Sequence, residues 1–322
     1  PLPLSKAKDE TMSRRLRRFA GAVCGLMVGV ASCVAHAEDI DIFGRPPTAN
    51  DLPNVLLAWD SSANWSANIP VPNCYFWDDG VPTTDGPKFT SPNKEQGTKF
   101  AIEKCALYNV IDALQPVLAS DPPRFNIGLM LFNESGAPQG GYPRQQFLPL
   151  TRANAALLKA TIKGITIGGD KANNGPYSQA LYEAYLIFSQ MVPYQGTAGT
   201  KWDHAAVSGG RYVGAPGSGC GTNHIIFVSN GSPNENNTDA GRILAAAGGD
   251  TTLITYPPGS ITHSDQNHWA DELARFLRTA DVSTRDGTQS VITHAVAVVG
   301  ASSDGLYPNF INGIATHGGG QY

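Results

Sequence analysis

Short apolar runs alternate with helical patterns along this chain, and that alternation limits its possible folds more than any other feature. Asn54–Trp59, Phe125–Phe132, His224–Ser229 and Val291–Val299 are runs of strand length, dense in Val, Ile, Leu and Phe. Runs of that kind in an alternating chain read as buried parallel strands. Between them, residues 96–118, 151–162, 177–191 and 266–278 carry apolar positions near helical spacing, with Pro176 suited to a first helical turn. The order β-then-α, repeated, predicts an α/β fold: an open, mainly parallel sheet with helices on both faces. Long loops at 64–95 and 195–222 interrupt it, and no internal repeat is visible. With 322 residues, 41% of them hydrophobic and only 16% charged, the chain can bury a real core. Its 35 glycines and 23 prolines suit a loop-rich domain.

The charge is unevenly placed. Six of the 23 basic residues and two of the 27 acidic ones precede residue 38, which leaves 17 against 25 beyond it. An acidic body with no basic stripe excludes nucleic acid as a partner. The basic residues cluster around Met12, ahead of an uncharged stretch from Phe19 to Val34 and then Ala35-His36-Ala37. These are the three parts of a secretory signal peptide, with cleavage expected after Ala37. The apolar stretch falls short of the roughly 20 residues that span a bilayer, so no transmembrane helix is expected in the mature chain. Val30-Ala-Ser-Cys33 also fits a loose lipobox, which would leave Cys33 acylated; the Arg14-Arg15 pair is a weak twin-arginine signal. Residues 1–11 read as upstream sequence, 12–37 as the signal and 38–322 as one domain, truncated at its C-terminal end. The product would be exported to the periplasm, outer membrane or cell surface. There, Cys74, Cys105 and Cys220 should seek partners, and three single pairings are possible. Cys74 lies in a loop and Cys105 on the helix that follows, which makes Cys74–Cys105 the preferred pair.

In such a sheet, ligands gather past the carboxyl ends of the strands. Three polar clusters are expected there: Asp60-Ser-Ser-Ala-Asn64, Asp170-Lys-Ala-Asn-Asn174-Gly175 and Asn230-Gly-Ser-Pro-Asn234. A carboxylate, a hydroxyl and an amide two residues apart can aim oxygens at one point, as hard cations such as Mg²⁺ or Ca²⁺ require. Asp60, Ser62, Asn64, Asn174 and Asn230 are the candidate ligands, although a single carboxylate binds weakly and the site is also readable as empty. Asp60 and Ser62 could equally cap a helix or brace a turn.

Asp60-x-Ser62-x-Asn64 after a buried strand resembles the first motif of the von Willebrand factor A domain, Asp-x-Ser-x-Ser. That family's metal ion-dependent adhesion site adds a Thr and an Asp from two further loops. Gly175, beside Asn174, stands here where the Thr belongs, and Asn230-Gly231 where the family has Asp-Gly. A wider likeness runs through Leu52-Pro-Asn-Val-Leu-Leu, Cys220-Gly-Thr-Asn-His-Ile-Ile-Phe-Val-Ser-Asn-Gly, Trp269-Ala-Asp-Glu-Leu-Ala-Arg-Phe-Leu, Gly287-Thr-Gln-Ser-Val-Ile-Thr-His-Ala-Val and Ile314-Ala-Thr-His-Gly-Gly-Gly-Gln-Tyr. In these segments the chain resembles the N-terminal, von Willebrand A-like region of the PilY-type family of type IV pilus tip-associated adhesins and biogenesis factors. The resemblance implies an exported adhesion module, acting in pilus biogenesis, surface attachment or twitching motility. Its partners would be pilus tip or minor pilin proteins, or a host-surface protein, and a C-terminal β-propeller would lie outside this chain. The alternative is a metal-free structural or docking domain of a secreted cell-surface complex.

Trp65, Tyr75, Phe76 and Trp77 crowd the loop after Asp60 and read as a recognition loop, or as a stapled loop packed on itself. Trp269, Leu273 and Phe276-Leu277 share a helix face, with Asp271 and Glu272 expected in solvent; His294 is expected in the core, and Gly318-Gly-Gly320 as a tight turn before an edge strand. Enzymatic signatures are poor. Ser218 lacks the Gly-x-Ser-x-Gly context, there is no phosphate-binding loop and no His-Glu-x-x-His. A Cys220–His224 nucleophile or an Asp78-Asp79 glycosidase pair would need partners that the sequence does not place, so a hydrolase is a remote alternative.

Overall fold

The computed structural model describes residues 52–90, 94–134, 140–194, 199–216, 221–233, 239–262, 264–283, 287–300 and 305–322. The expected signal peptide, Cys220 and Ser218 lie outside the described residues.

Among the described residues the strands, in chain order, are β1 (Asn54–Trp59), β2 (Trp77–Asp78), β3 (Val81–Pro82), β4 (Asn126–Phe132), β5 (Gly141–Pro149), β6 (Val207–Ser208), β7 (Arg211–Tyr212), β8 (Asn223–Ser229) and β9 (Val291–Ala297). Five of them form one sheet in the order β5-β4-β1-β8-β9, while β2-β3 and β6-β7 are small hairpins. Pairings β4-β1, β1-β8 and β8-β9 are parallel, and β5 runs antiparallel at the edge. Renumbered within the sheet this is the order 3-2-1-4-5 of a doubly wound fold, whose direction of winding reverses between β1 and β8. The expected architecture is present.

The helices are α1 (Lys99–Leu114), α2 (Arg152–Gly164), the single turn α3 (Ile167–Asp170), α4 (Tyr177–Phe188), α5 (Ala240–Ala246), α6 (Ala270–Thr279) and α7 (Tyr307–His317). Alternating side chains of β1 separate two cores. Leu56 and Ala58 pack with α4, α6 and α7, while Leu57 and Trp59 pack with α1 and α2. Thr98 and Thr151 cap α1 and α2 through their hydroxyls, accepting from Ala101 N and Asn154 N. Neither the edge strand β5 nor the helices α5 and α7 stood out in the sequence. Pro143 and Pro149 argue against a strand except at a sheet edge, which is where β5 runs.

Several expectations about burial are corrected. On α1, Val110 and Leu114 are exposed, whereas Lys99, Glu103, Lys104 and Asp112 are buried. On α6, Asp271 and Glu272 are buried: Glu272 accepts from Ile254 N (2.6 Å) and Asp271 from the Tyr256 hydroxyl (2.8 Å), and both anchor the segment that precedes the helix. His294 is half-buried, not core, and its Nε2 lies 3.2 Å from Nδ1 of His224. Gly319 takes φ +73 and bridges to Thr293 in parallel, so the glycine run does turn the chain onto the edge of β9. Among the described residues no helix is long and apolar enough to cross a membrane.

Candidate functional site at the switch point

The carboxyl ends of β1 and β8 lie side by side, with Trp59 in register with Val228. Asp60 and Asn230 therefore leave the sheet as neighbours, at the point where ligands gather in this class of fold. Asp60 is fully buried. Its Oδ1 accepts from Ser62 N (2.9 Å) and its Oδ2 from Asn230 N (3.3 Å). The Asn230 amide closes the pair: Nδ2 donates to the Asp60 carbonyl (2.7 Å), and Oδ1 accepts from the Ser62 hydroxyl (3.1 Å). Asp60, Ser62 and Asn230 are thus brought together as expected.

The other two candidates are placed differently. Asn64 is exposed, in the turn Ala63–Ser66, with its amide lying over Gly231 so closely that a Cβ there would clash. Asn174 contributes its carbonyl to Asn133 Nδ2 (2.9 Å). Tyr177, three residues further on, reaches into the site. Its hydroxyl lies 2.7 Å from Asp60 Oδ2, 2.6 Å from Ser229 Oγ and 2.5 Å from the Gly231 carbonyl.

Three more residues complete the cluster, and sequence reasoning missed them. Lys99, at the start of α1, is buried and donates through Nζ to the Asn230 carbonyl at 2.6 Å. One turn later, the buried Glu103 carboxylate accepts both indole N–H groups of Trp59 (2.7 Å) and Trp65 (2.9 Å). Tyr307 of α7 donates to the Ser229 carbonyl (2.8 Å). The available signal was two opposite charges four apart on the same stripe as Phe100 and Leu107, where a solvated pair does not belong.

Burial dominates the electrostatics. It raises the pKa of Asp60, against the hydrogen bonds from Tyr177, Ser62 and Asn230. It pushes Glu103 up to about 8 despite the two indoles. It lowers Lys99, against the opposing pull of Glu103 and Asp60. A divalent cation is a poor fit here. Asp60 is the only carboxylate among the five candidate ligands, both its oxygens already take protein hydrogen bonds, and an ammonium sits within the cluster.

Elsewhere, Asp78, Asp79 and Asp112 hold carboxylate oxygens within 4.8 Å of one another, a grouping that could hold a metal ion. Lys159 and Arg152 already pair with it, at 2.6 Å from Asp112 and Asp79. The expected disulfide Cys74–Cys105 is present, with a Cα–Cα distance of 6.3 Å. It ties the aromatic loop to α1 and sorts its rings. Trp65 is buried against Trp59 and Phe100, and Phe76 is buried on Tyr108, so neither offers surface to a partner; Tyr75 and Trp77 each remain 40% exposed.

No family model matches the chain, and no curated protein matches it. Among solved structures it is similar to the conserved hypothetical protein BatB from Bacteroides thetaiotaomicron (11% identity, 84% of this chain and 88% of that one, TM-score 0.38). It is also similar to the PilB minor pilin from Streptococcus sanguinis (12% identity, 86% of this chain and 57% of that one, TM-score 0.41). A third is a von Willebrand factor type A protein from Catenulispora acidiphila (13% identity, 84% of this chain and 43% of that one, TM-score 0.32). With every TM-score below 0.5, these likenesses do not bear on what this chain binds. The chain's own topology, with the Asp60 motif at the strand-order reversal, is that of a doubly wound, mainly parallel α/β fold.

Proposed function

We propose that this chain is an exported, von Willebrand A-like binding module of a pilus-associated protein, and that it works by docking and not by catalysis. The signal-like N-terminus and the PilY-type segments support the pilus context. The observation that carries the mode of action is the closure of the switch point. Asp60, Ser62, Asn230 and Tyr177 spend their hydrogen bonds on one another, which favours the metal-free docking reading over metal-dependent adhesion.

The contact surface we assign is the exposed aromatic pair. Tyr75 and Trp77 flank the buried Phe76, next to the Cys74–Cys105 staple. Asn109 of α1 grips the backbone on both sides, accepting from Trp77 N (2.9 Å) and donating to the Tyr75 carbonyl (3.0 Å). Rigidly held aromatics lose little entropy on binding, and such residues dominate protein interfaces. The test is binding of the purified chain to pili isolated from the bacterium that makes it. The variant Tyr75→Ala/Trp77→Ala should bind at least about tenfold more weakly, and chelation should change nothing. Equal binding by that variant refutes the surface. Binding abolished by EDTA supports the metal-dependent reading instead, which rests on Asp60-x-Ser62-x-Asn64 at the switch point.

A further inference from the structure

The switch-point cluster contains its own cation. Lys99 is only 6% exposed, and an ammonium so buried is costly unless opposite charge and acceptors surround it. Its Nζ donates to the Asn230 carbonyl at 2.6 Å and lies 5.8 Å from the centroid of the Tyr307 ring. Lys99 is the cation of the cluster, and Asp60 and, one helical turn along α1, Glu103 are the acidic groups that face it. The Asn230 backbone joins Lys99 to Asp60, since its N–H donates to Asp60 while its carbonyl takes Lys99. A divalent ion placed beside Asp60 would meet the field of that ammonium, and like charges in a buried site repel one another.

We infer that the Lys99 ammonium supplies, from within the chain, the positive charge that a bound metal supplies in a von Willebrand A-type adhesion site, so that the loops of Asp60 and Asn230 are locked without any ion. The inference rests on the metal-free part of the reading above and is independent of the pilus context. A failure to bind pili would leave it standing. Equally, its own failure would show in stability and leave the aromatic contact surface untouched.

The test is thermal unfolding of the purified chain. Millimolar Mg²⁺, Ca²⁺ or EDTA should leave the Tm unmoved. Lys99→Met and Asp60→Asn should each lower it, by roughly 6–12 °C, because each strands a buried partner. The double variant should melt above either single one, because it strands neither charge. Losses that simply add in the double variant overturn the inference. A rise of several degrees with Mg²⁺ or Ca²⁺ that Asp60→Asn abolishes overturns it too. A rise that survives Asp60→Asn comes from an ion held away from the switch point, and supports it. If Lys99→Met does not fold, the titration of the unaltered chain still decides.

Discussion

Two clusters in this molecule are built from the same chemistry, aspartates beside cations, yet they differ in nearly everything that follows. At the switch point, Asp60 is fully buried and Lys99 almost so, and both are held by hydrogen bonds to the surrounding protein. At the edge of α1, Asp78 and Asp79 have side chains 73% and 56% exposed, and Arg152 grips both oxygens of Asp79 at 2.6 Å. Only Asp112 of that second group is buried. It takes Lys159 at 2.6 Å and caps the turn of the β2–β3 hairpin through Asp79 N (3.1 Å) and Gly80 N (2.8 Å). Bulk solvent screens the outer pairs, whereas the inner cluster is closed off from it by burial. The same residue types therefore brace a surface hairpin in one place and tie the ends of β1 and β8 together in the other.

Mutations can sharpen this contrast. The largest effect should come from Asp60→Ala, which leaves Asn230 N and Ser62 N without their carboxylate acceptor and removes one of the partners of Tyr177. Denaturant unfolding should show a loss of about 3–5 kcal/mol, and a loss within scatter would mean that the cluster is not a unit. Next is Glu103. A carboxyl whose folded pKa is raised binds its proton more tightly in the folded state. Its contribution is therefore fully present below the ordinary glutamate range and is lost as pH rises to about 8. Unfolding free energy should fall across that window. Glu103→Gln, which still accepts the two indoles, should flatten the slope and be the more stable protein at pH 9. Part of the slope will remain, because burial also holds Glu183 up to about 8. Lys159→Met should cost about 1–2 kcal/mol, since Asp112 keeps its two backbone donors. Arg152→Ala is the smallest: its pair with Asp79 is solvent-screened, and the Tm should match that of the parent chain once salt is high. A clear loss in high salt would show that the outer cluster behaves like the inner one.

Much of the architecture was legible because periodicity is a local property. The four central runs became strands β1, β4, β8 and β9 within one or two residues, and the caps at Thr98 and Thr151 mark where α1 and α2 begin. Asp60, Ser62 and Asn230 could be named because a parallel sheet puts the ends of neighbouring strands together. Tyr177 was passed over because a tyrosine at a helix start looks like core. Lys99 and Glu103 were passed over because a charged pair four apart usually lies in solvent. The aromatic loop was half legible: its composition marks recognition, but only packing reveals that Trp65 and Phe76 face inward while Tyr75 and Trp77 do not.

By itself, then, the order of residues determined the alternation of elements, the class of sheet and the strand ends at which a site must lie. These follow from backbone geometry and from the need to bury apolar faces, and both can be read within a short window. Tertiary structure decided what the site is made of. It brought Lys99, thirty-nine residues downstream of Asp60, to the carbonyl of Asn230, and it buried both away from bulk solvent. The worth of a charge depends on the medium around it, and that medium exists only when the chain has closed on itself.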